Sequence, residues 1–124
     1  MLRTALDAAD AAARVLQRWS GRVGMDTASV KGFGDFVSRA DLEAQEAALG
    51  VIRDRYPDHR ILAEEGDPDV GDAAEAEGPI WVIDPLDGTT NFLHRHPVYA
   101  VSVAVAREGR PVAGAVLSPA TGER

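Results

Sequence analysis

The nine residues Asp84-Pro85-Leu86-Asp87-Gly88-Thr89-Thr90-Asn91-Phe92 concentrate the oxygen donors most capable of chemistry, and they follow directly on the apolar run Ile80-Trp81-Val82-Ile83. Pro85 fixes one backbone angle and Gly88 frees another, so the chain can turn tightly and aim Asp84, the Leu86 carbonyl and Asp87 at one point. Hard, oxygen-only ligation of that kind suits Mg²⁺, which keeps water and substrate phosphate in its remaining positions. Gly88-Thr89-Thr90 can also open a short helix whose free N–H groups receive a phosphate. An Asp-Pro or Asp-Gly dipeptide alone is an ordinary turn; the whole nonapeptide is far more specific.

Two other acidic segments precede it. Glu64-Glu65 follows a short apolar stretch, and adjacent like charges repel unless a cation or solvent separates them; alone, the pair reads as solvated surface. Asp35-Phe36-Val37-Ser38-Arg39-Ala40-Asp41 offers two more carboxylates, for which helix capping is a complete structural account. His94 and His96 have metal-like H-x-H spacing but no third ligand nearby and Pro97 behind them, which favours a loop role, and His59 reads as exposed. Asp67-x-Asp69 does not make a calcium loop, because Pro68 intrudes and Gly71 stands out of position.

The elements that must position these groups are legible in the periodicity. Leu2, Leu6, Ala9, Ala13, Leu16 and Trp19 recur at helical steps, with Ser20-Gly21 as the stop. A second helix is predicted from Ser38, with Asp41 in its first turn, to Tyr56 before Pro57, burying Leu42, Leu49, Ile52 and Tyr56. Arg60 to Ala63 reads as a short strand, 67–78 as a polar loop, and Ile80 to Ile83 as a buried strand that delivers Asp84 at its carboxyl end. Val101, Val103 and Val105 alternate with small residues, and Val112 to Leu117 forms the hairpin partner beyond Glu108-Gly109-Arg110. Trp81 and Phe92 read as core aromatics.

Composition bounds the function. The 124 residues, 45% apolar, suffice for one folded domain. A formal charge of −7 argues against a nucleic-acid partner. The absence of cysteine excludes a thiolate zinc site or a Cys nucleophile. It also suits a reducing compartment, so the expectation is a soluble cytoplasmic protein with no membrane partner.

In order and spacing, the three acidic segments resemble the inositol monophosphatase family: Asp-x-Val-Ser/Thr-x-x-Asp, then Glu-Glu, then Asp-Pro-Ile/Leu-Asp-Gly-Thr-x-Asn-Phe. The resemblance spans nearly the whole chain and continues through Leu93-His94-Arg95-His96-Pro97 into the valine strand. It implies an α+β fold, the first α and β layers of a layered αβαβα sugar-phosphatase fold. It also implies Mg²⁺-dependent hydrolysis of a small phosphate monoester, inositol monophosphate first and histidinol phosphate as the alternative. Glu64, Asp84 and Asp87, with the main-chain oxygen of Leu86, become metal ligands. Asp41 and Thr89, with the ligand Glu64, become the catalytic set that orients or deprotonates water. Asp87, Gly88 and Thr89 become the substrate-phosphate contacts, and Lys31 a neighbour of the site.

Such a scheme is coherent because a phosphate dianion repels an anionic nucleophile until cations neutralise it, and two ions about 3.5–4 Å apart divide attack from departure. Members of the family carry a second half with a Trp-Asp metal ligand. Here both tryptophans, Trp19 and Trp81, precede the hairpin. Residues 1–124 are therefore expected to be the amino-terminal metal- and phosphate-binding half, with the carboxy-terminal half absent: a fragment, one part of a split site, or a non-catalytic Mg²⁺-binding or assembly module. A homodimer, or association with a carboxy-terminal half, is the expected partnership.

Overall fold

The computed structural model describes residues 1–22, 30–63 and 78–124, with the backbone alone for 30–33. Chain order is α1 (Leu2–Ser20), α2 (Val30–Arg55), β1 (Arg60–Ala63), β2 (Pro79–Asp87), α3 (Thr89–Leu93), β3 (Ala100–Arg107) and β4 (Arg110–Leu117). The four strands form one sheet in sequence order; β1 runs parallel to β2, and the other pairs are antiparallel. The fold is α+β, with α1 and α2 packed on one face of this mixed sheet.

Alternation decides which face they cover. Val101, Val103 and Val105 are fully buried and join Trp81, Ile83, Ala115 and Leu117 in the core beneath the helices. The intervening positions Leu62, Val82 and Val116 are partly or largely exposed on the other face. Burying that row of valines is the main reason β3 holds its register, since a one-residue slip would carry all three into solvent.

The helices meet through small residues. Ala5, Ala8, Ala9 and Ala12 of α1, and Ala40, Ala44 and Ala48 of α2, are completely buried. Close helix packing favours alanine at the contact and displaces longer side chains to its flanks. Two sequence expectations fail for this reason: Leu2 is 53% and Leu42 47% exposed, although both carry the expected helical spacing. Leu49 and Ile52 are buried as expected, and Tyr56 is half-buried.

The start of α2 also differs from expectation. The helix begins at Val30, so Ser38 is an exposed interior residue rather than a cap. Phe36 supplies the reason: it is buried edge-on to Trp19 at 5.1 Å and stacked with Phe92 at 6.3 Å. Packing across three elements recruits the turn that local capping chemistry would have left out.

Polar ties complete the frame. Arg55 pairs with Asp7 at 2.7 Å and donates to the buried Thr4 hydroxyl, joining the end of α2 to the start of α1. Arg124 grips both carboxylate oxygens of Asp10. His59 is half-buried rather than exposed, because Tyr56 stacks on it at 4.5 Å and Trp81 Nε1 donates to its Nδ1 at 3.1 Å. An indole nitrogen is only a donor, so Nδ1 serves here as the acceptor. Asp67 and Asp69, and the loop expected at 67–78 except for Gly78, lie outside the described residues.

Candidate functional site

Strand β2 carries the expected donors at its carboxyl end, and its pairing explains how. Up to Asp84, opposite Ser102, it is a regular antiparallel partner of β3; the ladder then skips and resumes at Asp87 opposite Ala100. Pro85 sits inside that irregularity, where its missing N–H removes no ladder bond. On the other side β1 ends at Ala63, in register with Ile83, so the end of β2 is unpaired there among the described residues.

Within this irregular segment the donors separate by burial. Asp84 is half-buried and its Oδ1 accepts the Leu86 N–H at 3.2 Å, a two-residue turn that fixes the carboxylate. Leu86 is buried and Asp87, closing the strand, is exposed. The Leu86 carbonyl receives a long 3.5 Å contact from Thr89 Oγ1. Asp84 also walls a cleft of about 320 Å³ with Leu62, Ala63, Val82 and Ile83, and among the described residues is the charged member of that lining. A larger cleft of about 480 Å³, between the end of α1 and the segment after α3, has no carboxylate in its lining among the described residues.

Gly88 turns the chain from strand to helix. Its φ of 93° is left-handed, and a Cβ there would come within 2.9 Å of the Val98 carbonyl oxygen. Thr89 then opens the five-residue helix α3 as expected, and Phe92 N donates to Gly88 O at 3.0 Å. So short a helix has little macrodipole; what it offers an anion is individual N–H groups. One role was invisible in the sequence: Asn91 Nδ2 donates to Val98 O at 2.7 Å and clasps the segment before β3 against the Gly88 turn. An amide three residues after the turn glycine was the only signal. His94 ends α3 and His96 is exposed beyond it, the loop role expected of both.

Of the other expected site residues, Asp41 is 6% exposed in the middle of α2. Asp35 is exposed on the same helix. Glu64 and Glu65 lie outside the described residues, as does the side chain of Lys31. Among the described residues no group of three or more His, Asp or Glu is placed to hold a metal ion. Those at the end of β2 nonetheless fit Mg²⁺ in kind: two carboxylates and a main-chain carbonyl, all hard oxygen. Among the described residues no helix is long and apolar enough to cross a membrane.

Comparison with known proteins bears on the family and the fold. The family model described as "Inositol monophosphatase family" matches residues 1–124. The chain is 40% identical over 123 residues to an inositol-1-monophosphatase of Mesorhizobium japonicum, and 41% identical over 123 residues to the Nus factor SuhB of Salmonella typhimurium. Each match covers 99% of this chain and 45% of the relative, so the chain spans somewhat less than half their length. The crystal structure of the extragenic suppressor protein suhB of Bartonella henselae superposes with a TM-score of 0.79 at 36% identity, covering 97% of this chain and 45% of that one.

Proposed function

We propose, from the premise that this chain belongs to the inositol monophosphatase family, that it forms the amino-terminal, metal- and phosphate-binding half of a Mg²⁺-dependent phosphomonoesterase acting on a small phosphate ester, inositol monophosphate first. The observation that carries this reading is the end of β2, where a register shift, Pro85 and a left-handed Gly88 set Asp84, the Leu86 carbonyl, Asp87 and Thr89 within six consecutive residues. An ordinary strand end has no need of that construction.

In this reading Asp84, Asp87 and the Leu86 carbonyl, with Glu64 beyond the end of β1, hold the metal. Mg²⁺, when bound, supplies the positive charge that neutralises the phosphoryl oxygens, acidifies water and stabilises the departing alkoxide. The N–H groups of Gly88 and Thr89 receive the ester phosphate beside Asp87. Thr89 Oγ1 and the Asp41 carboxylate orient the attacking water, and the carboxylate takes up its proton. The carboxy-terminal portion that the relatives possess supplies the remaining ligand and the groups that choose the alcohol, and the same association, or a homodimer, covers the open face of the sheet. The compartment is the cytoplasm.

A second reading, an assembly role, draws on the kinship with the Salmonella Nus factor SuhB. One experiment separates them. In the natural protein that carries this chain, phosphate release from inositol 1-phosphate should require Mg²⁺ and fall by about 10²-fold or more in Asp87→Asn, because the neutral amide loses the negative charge that holds the cation. Turnover equal to wild type in the variant would remove the metal assignment, and absence of turnover on any phosphate monoester would favour the assembly role.

A further inference from the structure

Among the described residues four of the twelve arginines pair with carboxylates: Arg3 and Arg55 meet Asp7, Arg18 meets Glu43, and Arg124 meets Asp10. Arg22 and Arg39 do not. Among the described residues neither has a carboxylate partner, and Asp35, one turn before Arg39 on α2, forms no ion pair with it. Both guanidiniums instead lie over the indole of Trp19, with their Cζ atoms 5.0 and 5.4 Å from the ring centroid. Two like charges gathered at one ring repel, and the ring's quadrupole offsets only part of that.

The platform beneath them is rigid. Trp19 is 6% exposed, its Nε1 donates to Glu43 Oε2 at 2.8 Å, and Phe36 packs edge-on against it. Arg22 is held from its backbone as well, its N–H donating to Trp19 O at 2.9 Å. A guanidinium lying over an aromatic face keeps its N–H donors free for a ligand, and an arginine already held in place loses little freedom on binding one. Among the described residues Arg18, Arg22 and Arg39 together oppose the single charge of Glu43, a local excess of positive charge on a protein whose formal total is −7. Arg39 is exposed while Asp41 is buried, since two helical positions lie roughly 200° apart around α2. Arg18 and Arg22 are exposed as well, so the cluster opens to solvent.

We infer that Arg22 and Arg39, held over Trp19 with Arg18 beside them, form a binding site for a phosphate-class dianion that needs no metal. Charge, donor geometry and preorganisation all match a doubly charged oxyanion.

The test is calorimetric titration of the chain with inorganic phosphate at pH 8, with chelator present and ionic strength held constant with sodium chloride. The expected result is saturable binding of one phosphate per chain. Its association constant should drop at least tenfold in the Arg22→Gln, Arg39→Gln double variant. It should be unchanged in Arg53→Gln, Arg107→Gln, which removes the same charge elsewhere. Circular dichroism establishes that each variant is folded. Binding equal to wild type in the Arg22, Arg39 variant, equal loss in the Arg53, Arg107 control, or no saturable heat at all would each overturn the inference.

Discussion

A methyl group on Gly88 would stand 2.9 Å from the carbonyl oxygen of Val98, closer than real side chains come to backbone. The same carbonyl accepts the Asn91 amide, so the turn and the segment before β3 are pressed together at one oxygen. Gly88→Ala should therefore cost about 1–3 kcal/mol, from the left-handed backbone and the forced displacement together. Urea denaturation measures it, and a loss below about 0.5 kcal/mol would mean that the turn yields freely.

Mg²⁺ should raise the thermal midpoint in a concentration-dependent way, because a cation that binds only the folded chain stabilises it by mass action. Asp84→Asn with Asp87→Asn should flatten that response. If the double variant responds as the parent does, these carboxylates are solvated surface.

Trp81→Phe keeps a large ring in the core but deletes the hydrogen bond to His59. The expected loss is about 1 kcal/mol, since the half-buried imidazole can recover a water. A loss above about 3 kcal/mol would show that indole volume, and not the hydrogen bond, holds β2 to the end of α2.

Two groups set the pH limits. The Arg55 guanidinium bonded to Asp7 holds its carboxyl below the ordinary value of 3.8. A depressed folded-state pKa stabilises above the unfolded value and loses that contribution as pH falls through the folded one. The stability difference between wild type and Arg55→Gln should thus be constant at neutral pH and shrink below about pH 4. Burial raises the Tyr99 phenol above 10.0, and a raised pKa reverses the sign: its contribution holds up to pH 10 and fades as the phenol ionises. Ultraviolet titration should show a late phenolate step that Tyr99→Phe removes; an unchanged curve would rule out the shift.

Much of this was legible in the sequence, and what escaped has a common cause. The nonapeptide at Asp84 announced a strand, a turn and a short helix because Pro85 and Gly88 constrain backbone angles directly. The hairpin followed from valines at alternate positions. The true start of α2 and the burial of its alanines rather than Leu42 were not legible, because both depend on how closely α1 approaches. The clasp from Asn91 and the contact between His59 and Trp81 join residues 7 and 22 positions apart, which local spacing does not reveal. The ligand expected at Glu64 remains a reading of the sequence, since the described part of β1 stops one residue before it.

The alanine seam between α1 and α2 has a consequence for how this protein can change over generations. Where methyl groups face each other across a closed gap, a bulkier residue on one helix fits only if volume is given up on the other. The two helices are thus inherited as a matched pair, and chimaeras that take α1 from one relative and α2 from another should fail more often than those divided after Arg55.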